Sequence, residues 1–332
     1  MEKVFNAEIA VNNEKDENIA KFYVFSANVF KKLSDQDKAN EYYGKALEEF
    51  YLLLKKLKND PDKDDSQLEI FNEKLAIEIM KYGKESIKTA KTYYSIGNIY
   101  KSMDDHEKRL EYYLKGLEIR IKLQGEEHLD TATQYNNVGV AYNILGNTDK
   151  ALEYHNKAIA VRVKVLGEDD TKTAFSYANA AYVYRDVNQN ETALSYFEKA
   201  INIYKKTEPK NTDKKKELFL QIIELQKKIY GEEHEKTANS YYSLGGVLLT
   251  QGNTDLSLEY ATKALNIRKK IFGEENEDTT VSYFSIGAIY YKSEEPQKAL
   301  EYHKTALKIK EAIYDKKKLQ YWVILLLYRD SL

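Results

Sequence analysis

Three segments of nearly identical pattern follow one another along the chain: IKTAKTYYSIGNIY from Ile87, LDTATQYNNVGVAY from Leu129 and TKTAFSYANAAYVY from Thr171. Each segment starts 42 residues after the previous one. Two later segments carry the same threonine, at Thr237 and Thr279, again 42 residues apart. A fixed period of this length indicates a repeat protein, in which each unit is one supersecondary element that stacks on its neighbours.

Two series of tyrosines support this period. Both series step by 70, 42, 42, 64 and 42 residues, so they share the same irregular steps. The first series is Tyr23, Tyr93, Tyr135, Tyr177, Tyr241 and Tyr283, and the second is Tyr42, Tyr112, Tyr154, Tyr196, Tyr260 and Tyr302. Chance does not produce two parallel series with identical irregularities, and the chain is therefore predicted to contain six copies of one unit.

Each unit is predicted to be a hairpin of two helices, A and B. Tyr135, Val138 and Tyr142 lie at i, i+3 and i+7, which places them on one face of helix A. In the turns between units, Asp130 and Asp278 are the predicted N-caps of helix A. Small residues recur where the helices must approach closely: Gly97, Gly139, Ala181, Gly245 and Gly287 in helix A, and Ala46, Gly116, Ala158, Ala200, Ala264 and Ala306 in helix B.

The steps of 70 and 64 residues each leave room for one extra helix, which we interpret as a unit without a helix A. The fold class predicted is all-α, a right-handed superhelical solenoid of stacked antiparallel helix hairpins. The predicted array covers residues 19–314, with hairpins near 19–57, 88–124, 130–166, 172–206, 236–272 and 278–314, and lone helices near 66–82 and 213–230. Residues 1–18 are expected to form an N-terminal segment or a partial repeat helix, and residues 315–332 a C-terminal capping or docking helix.

The unit NNVGVAYNILGNTDKALEYHNKAIAVRVKVLGEDD, residues 136–170, resembles the tetratricopeptide repeat. Its 42-residue step is similar to that of the repeats in kinesin light chains. The resemblance implies a protein-interaction scaffold or adaptor. Kinesin light chains usually carry a proline in the turn between repeats and a heptad coiled coil before them. The turns HLDTA, DTKTA and HEKTA lack proline, and no heptad segment is evident. We therefore favour a stand-alone array, with a kinesin-light-chain-like cargo adaptor as the alternative.

In this family helix A lines the inner, concave surface, and the resemblance implies that its fifth, sixth, ninth and twelfth positions face that groove. Asparagine amides can donate to and accept from a peptide backbone, and tyrosines supply rigid contact area with a polar tip. We therefore predict that an extended peptide binds there. The alternative is that these positions are simply solvated. The predicted peptide-binding residues are Tyr94, Asn98, Asn136, Asn137, Asn179, Tyr182 and Tyr242.

Composition argues against several other functions. The net charge is −2, from 51 basic and 53 acidic residues, so the chain lacks the broad positive field that nucleic acid binding needs. The absence of cysteine excludes disulfides and thiolate chemistry. The sequence contains no glycine-rich phosphate loop and no nucleophile–base pair, so we predict neither an enzyme nor a bound cofactor. The N-terminus lacks the features of a secretory signal, which makes the cytoplasm the expected location.

The five histidines do not have the spacing of a metal site. His155 and His303 occupy the helix B register that holds Tyr113 in another unit, and we interpret them as packing residues. His128 and His234 each lie in a GEEH turn, one to a unit, and are therefore apart from each other. No metal site is predicted.

Two segments have open interpretations. The lysine-rich stretch from Lys205 to Lys216, around Pro209, is interpreted as a flexible, soluble linker, with a local contact to an anion as the alternative. The apolar run from Tyr321 to Tyr328 is far shorter than the roughly 20 residues of a membrane span. We interpret it as a helix that seals the last repeat. The alternative is docking to a partner or to a second copy, which would make the protein a self-associating assembly unit.

Overall fold

The computed structural model describes residues 16–57 and 63–329. Over these ranges the chain forms 14 helices and no strand, which confirms the all-α class. The helices are α1 (Asp16–Lys32), α2 (Gln36–Leu57), α3 (Asp64–Tyr82), α4 (Ile87–Ser102), α5 (His106–Gln124), α6 (Leu129–Ile144), α7 (Thr148–Leu166), α8 (Thr171–Asp186), α9 (Asn190–Thr207), α10 (Thr212–Tyr230), α11 (Glu235–Thr250), α12 (Thr254–Phe272), α13 (Glu277–Lys292) and α14 (Pro296–Arg329).

The chain divides into two compact units, Met1–Val165 and Leu166–Leu332. In the first unit α1 pairs with α2, α4 with α5 and α6 with α7, and α3 stands alone between the first two pairs. In the second unit α8 pairs with α9, α11 with α12 and α13 with α14, and α10 stands alone after the first pair. Each unit is thus a stack of helix hairpins interrupted by one single helix.

The two tyrosine series meet inside the hairpins. In the pair α6/α7 the ring centroids of Tyr135 and Tyr154 lie 5.9 Å apart, and Tyr142 stacks on the other side of Tyr154 at 5.6 Å. Buried aromatic pairs of this kind contribute about 0.5–1.5 kcal/mol beyond the area that they bury. The six pairs, with centroids 5.5–6.1 Å apart, are Tyr23–Tyr42, Tyr93–Tyr112, Tyr135–Tyr154, Tyr177–Tyr196, Tyr241–Tyr260 and Tyr283–Tyr302.

Glycines in helix A make room for rings of helix B. A Cβ atom at Gly97 would lie 2.5 Å from the Tyr113 ring, and one at Gly139 would lie 2.9 Å from the His155 ring. Both distances are too short for a side chain of any size, so the glycine is required by the close approach of the two helices. The recurrence of small residues in the sequence therefore has a packing cause.

A buried threonine joins the start of helix A to the end of the preceding helix. Thr131 Oγ1 donates a hydrogen bond of 2.9 Å to the carbonyl of Gly125, whose φ of 85° lies in the left-handed region that glycine adopts without strain. The bond explains why threonine marks the 42-residue step. It recurs at Thr89–Gly83, Thr131–Gly125, Thr173–Gly167, Thr237–Gly231 and Thr279–Gly273, with lengths of 2.9–3.1 Å.

The N-caps lie two residues earlier than the sequence suggested. The Nδ1 atom of His128 accepts from the backbone N–H of Asp130 at 3.0 Å, and the side chain of Asn276 accepts from the N–H of Asp278 at 2.8 Å. The prediction that Asp130 and Asp278 are the caps is therefore wrong, because both aspartates already belong to the first helical turn. Asp130 instead accepts from Arg120 at 2.9 Å.

Buried polar residues link helix B to the following helix A. Arg268 in α12 donates to the Ser282 hydroxyl in α13 at 2.8 Å, and Glu78 in α3 accepts from the Thr92 hydroxyl in α4 at 2.7 Å. In both pairs the partners are 14 residues apart. The lone helix α3 therefore contacts α4 in the way that a helix B contacts the next helix A.

The lysine-rich stretch is ordered, and the prediction of a linker there is wrong. Residues 205–207 end α9 and residues 212–216 begin α10, so that only residues 208–211 form the turn. The Lys215 ammonium donates to the Pro209 carbonyl, and the Asn211 side chain caps α10 by accepting from the N–H of Lys214 at 3.3 Å. The cap and the lysine–carbonyl bond therefore order a stretch whose lysine content and proline had suggested a linker.

Helix α14 is continuous from Pro296 to Arg329, so residues 315–329 extend the second helix of the last hairpin. The side chains of the apolar run at residues 321–328 lie outside the described part of the structure. Within the part that is described, no helix combines the length and the hydropathy that crossing a membrane requires.

Replacing Thr237 with valine should lower the free energy of unfolding by about 1–2 kcal/mol, because the Gly231 carbonyl loses its donor beside a buried side chain. The matched control is Thr305→Val. The Thr305 hydroxyl donates to the Glu301 carbonyl within α14 at the surface, so its loss should cost less than about 0.5 kcal/mol. Urea denaturation followed by circular dichroism measures both, and equal losses would contradict a special role for the threonine–glycine bond.

Candidate functional site

The seven predicted peptide-binding residues lie on helices of type A in both units. Tyr94, Asn98, Asn136 and Asn137 belong to α4 and α6 of the first unit, and Asn179, Tyr182 and Tyr242 belong to α8 and α11 of the second. Six of the seven are half-buried and so present part of the side chain to solvent. Asn136 is only 2% exposed, and a peptide on the surface could not reach its amide.

In the first unit Tyr113 of α5 brings Tyr94 and Asn98 together. The Tyr113 hydroxyl donates to Asn98 Oδ1 at 2.5 Å, and its ring stacks on Tyr94 with centroids 5.4 Å apart. Burial raises the pKa of Tyr113, so this hydroxyl stays protonated as a donor. The amide NH₂ of Asn98 points away from this bond and remains a donor for another group. Asn137 lies half-buried on the next helix A.

In the second unit Tyr182 of α8 is already engaged by the lone helix α10. The Tyr182 hydroxyl donates to Glu217, and Arg185, one turn further along α8, donates to Gln221. The Tyr182 ring also packs edge-on against Phe197, with centroids 5.0 Å apart. Burial and the bond to Glu217 raise the pKa of Tyr182. Tyr182 and Arg185 occupy the ninth and twelfth positions of this helix A, where the resemblance implies a ligand. Both side chains are instead bonded to α10.

Tyr242 borders an open cavity of about 340 Å³ in the second unit. The cavity size falls at the lower end of the range for ligand-binding clefts, roughly 300–1,000 Å³. Four lining residues occupy the fifth, sixth or ninth position of a helix A, which the resemblance places on the inner surface: Tyr242, Ser243 and Gly246 of α11 and Ser285 of α13. Tyr182 does not line this cavity. The lining residues are Lys205, Thr212, Lys215, Phe219, Tyr242, Ser243, Gly246, Val247, Thr250 and Ser285.

The guanidinium of Arg268 packs against the Tyr242 ring. The guanidinium carbon of Arg268 lies 4.8 Å from the ring centroid, and the same guanidinium is anchored to Asn239 at 2.7 Å and to Ser282 at 2.8 Å. A cation over an aromatic face contributes about 0.5–2 kcal/mol. Gly246, one turn along α11, has no atom within 4 Å of the place that a Cβ would occupy, and this leaves the cavity open beside Tyr242.

Of the ten lining residues only Tyr242 was predicted as a site residue, and four of the others lie outside helix A altogether: Lys205, Thr212, Lys215 and Phe219. They come from helix α9 and from the lone helix α10, and the prediction considered only helix A. The signal that could have found them is the irregular 64-residue step, which places an additional helix beside the inner face of α11. The Lys205–Lys216 stretch itself had an anion contact as its alternative interpretation.

The buried histidine of α7 is a packing residue. His155 is 1% exposed and lies against Gly139, and burial together with nearby Arg162 lowers its pKa from 6.5 to about 4. Its ring is therefore neutral near pH 7 and out of reach of a substrate. Among the described residues, no three histidine, aspartate or glutamate side chains are close enough together to hold a metal ion.

Stacked helix hairpins joined by the same glycine–threonine link define a helical repeat protein. The family model described as "Tetratricopeptide repeat" matches residues 88–162, 130–206, 211–270 and 244–312, which is more than half of the chain. The chain therefore belongs to the tetratricopeptide repeat family. This membership places it among proteins whose repeats serve protein–protein interaction.

A comparison with solved structures found several similar chains. Aspartyl phosphate phosphatase F from Bacillus subtilis is 13% identical, with 85% of this chain and 73% of that chain covered and a TM-score of 0.53. BtubC (BKLC) from P. vanneervenii is 18% identical over 78% of this chain and 92% of that chain, with a TM-score of 0.36. A putative kinesin light chain with nearly identical TPR-like repeats from Podosopora anserina is 18% identical, with coverages of 68% and 97% and a TM-score of 0.33. A comparison with curated proteins found no significant match.

Acid should destabilise the protein through His155. The unfolded chain binds a proton at the ordinary histidine pKa of 6.5, whereas the folded chain does so only near pH 4, so stability falls as the pH drops through this window. The loss from this residue is up to roughly 3 kcal/mol. His155→Phe, a residue that helix B holds at the equivalent Phe197, should remove this part of the pH dependence. Urea denaturation of both proteins at neutral and acidic pH measures it, and parallel pH profiles would contradict the assignment.

Proposed function

We propose that this protein is a non-enzymatic scaffold that binds an extended segment of a partner protein along the inner positions of its A helices. The observation that supports this most directly is the cavity at Tyr242, Ser243 and Gly246 of α11 and Ser285 of α13. These four residues occupy positions at which the family resemblance implies a ligand. The cavity therefore supports the proposal, because it lies at positions where the resemblance implies a ligand.

The chemistry of the cavity suits a peptide. Tyr242 and Phe219 offer aromatic faces for an apolar side chain, and aromatic rings give large contact area at low conformational cost. The hydroxyls of Ser243 and Ser285 make no hydrogen bond to any described residue, which leaves them for a ligand backbone. In the first unit the Asn98 amide and half-buried Asn137 provide a similar polar surface.

Filling the cavity should weaken peptide binding. Gly246→Leu adds a side chain beside Tyr242 at a position where a Cβ atom would meet nothing within 4 Å, and a helix tolerates leucine better than glycine. Peptides selected from a random display library on the wild-type protein should bind Gly246→Leu at least about tenfold more weakly, as measured by fluorescence anisotropy.

The matched control is Asn266→Leu, an exposed position on α12 that does not line the cavity, and its affinity should equal that of the wild type. Selected peptides that bind both variants equally, or a library that yields no binder over repeated rounds, would contradict the proposal.

A second candidate function is self-association through the last hairpin. Leu300, Leu307 and Tyr314 recur every seven residues along α14 and are exposed. One repeat earlier, Leu265 is 6% exposed because it packs against the helix that follows, whereas Leu307 at the same register is 57% exposed. A stacking surface of this kind can bind the same type of surface on a second copy.

Light scattering coupled to size exclusion tests this second candidate. The wild-type protein should show a mass that rises with concentration, and Leu307→Lys should remain monomeric because a charge at the contact resists burial. Leu256→Lys, at an exposed leucine of α12, is the control and should behave as the wild type. A monomeric wild type at all concentrations would rule out the assembly.

A further inference from the structure

The cavity beside Tyr242 is lined by two lysines and, among the described residues, by no acidic side chain. Lys205 reaches it from the end of α9, and Lys215 from the first turn of α10. The carboxylate of Glu198 is close enough to raise the pKa of Lys205 but is not part of the lining. The cavity is therefore a local concentration of positive charge in a protein whose net charge is −2.

Lys205 makes no ion pair with any described residue. The residue as a whole is exposed, but its ammonium lies 5.0 Å from the centroid of the Phe219 ring. Partial burial there lowers the pKa of Lys205, an effect that nearby Lys215 increases. By contrast its neighbour Lys206 forms an ion pair with Asp169 at 3.1 Å. An anion in the cavity would relieve the repulsion between Lys205 and Lys215.

Lys215 is held in place by its own backbone contact. It is 8% exposed, and its ammonium donates to the Pro209 carbonyl in the turn before α10. An ammonium has three donors, so the bond to Pro209 leaves others free to point into the cavity. The position of this charge is thus fixed before any ligand binds, which reduces the entropy that binding costs.

Four residues with hydroxyl groups line the same cavity as the two lysines, namely Thr212, Ser243, Thr250 and Ser285. Ser243 and Ser285 donate to no described residue. Thr212 accepts a long hydrogen bond of 3.3 Å from Gln251, so its own proton can be donated to a ligand. Thr250 is bonded within its helix to the Gly246 carbonyl. The cavity therefore offers several neutral donors in addition to two charged ones.

From this charge and donor set we propose that the cavity binds the phosphate group of a phosphorylated side chain in the partner peptide. The inference rests on the proposed function, because it specifies the chemistry of the peptide at that same site. A phosphomonoester carries a charge of about −2 near neutral pH and three acceptor oxygens. Two ammonium groups and at least three available hydroxyls match this charge and this number of acceptors.

A carboxylate fits the cavity less well. It carries a single negative charge and would leave one ammonium group without compensation in a partly desolvated place. Arginine, whose planar guanidinium matches a carboxylate with two parallel bonds, does not line the cavity, whereas lysine acts as a point charge that suits phosphate.

The test uses three degenerate peptide libraries that differ only at one fixed residue: phosphoserine, serine or glutamate. The immobilised wild-type protein should retain the phosphoserine library at least about tenfold better than the serine library, and the glutamate library only weakly. Lys205→Gln should lose most of the preference for phosphoserine, and Lys205→Arg should keep it. Lys206→Gln is the control for general charge, and should behave as the wild type because Lys206 does not line the cavity.

Inorganic phosphate serves as a second probe that requires no peptide. Phosphate should raise the midpoint of thermal unfolding of the wild type more than chloride does at equal ionic strength, and should raise that of Lys205→Gln less. Equal retention of the phosphoserine and serine libraries, with peptide binding still blocked by Gly246→Leu, would overturn the phosphate site and leave the scaffold function intact. Stabilisation by phosphate without retention of any peptide library would support the anion site and contradict the scaffold function.

Discussion

The bond from a buried threonine hydroxyl to the carbonyl of a left-handed glycine fixes how one repeat follows another. It ties the first turn of helix A to the residue that ends the preceding helix, as in Thr131 with Gly125 and Thr279 with Gly273. Because the bond fixes the direction in which helix A leaves the turn, the tyrosine of helix A faces the ring of its own helix B. The aromatic pairs, the glycine contacts and the exposed inner positions all depend on this starting geometry.

The lone helices α3 and α10 change which side chains the repeats expose, but they keep the threonine–glycine bond. Both end at the same glycine–threonine link, through Gly83 and Gly231, and so they start the next hairpin correctly. On its other side α10 contacts α8 through Glu217 and Gln221. It thereby covers part of α8 and contributes Thr212, Lys215 and Phe219 to the cavity beside α11. A single helix in a series of pairs is the feature that distinguishes this surface from a regular array.

Most of the fold could be predicted from periodicity alone, because threonine, tyrosine and glycine each mark a geometric requirement that repeats with the chain. The predicted site was only partly accessible to such reasoning. Asn136 is buried and Tyr182 is engaged by α10, and neither fact has a signal in the repeat pattern, since both depend on which neighbour lies across the helix. The linker prediction at Lys205 to Lys216 failed for the same reason: local charge was visible, whereas the packing of Lys205 on Phe219 was not.

The paired tyrosines also limit the alkaline pH range over which the stacked hairpins stay folded. Burial raises the pKa of both rings in pairs such as Tyr135 with Tyr154 and Tyr177 with Tyr196, so the folded chain resists forming phenolate where an exposed tyrosine would already ionise. The stabilisation that these rings provide is complete below pH 10 and declines above it, because the unfolded chain then ionises first. Since each hairpin has its own pair, ionisation and loss of packing in one hairpin should expose the tyrosines of the next hairpin. The ultraviolet absorbance of phenolate would then report the unfolding of the stack.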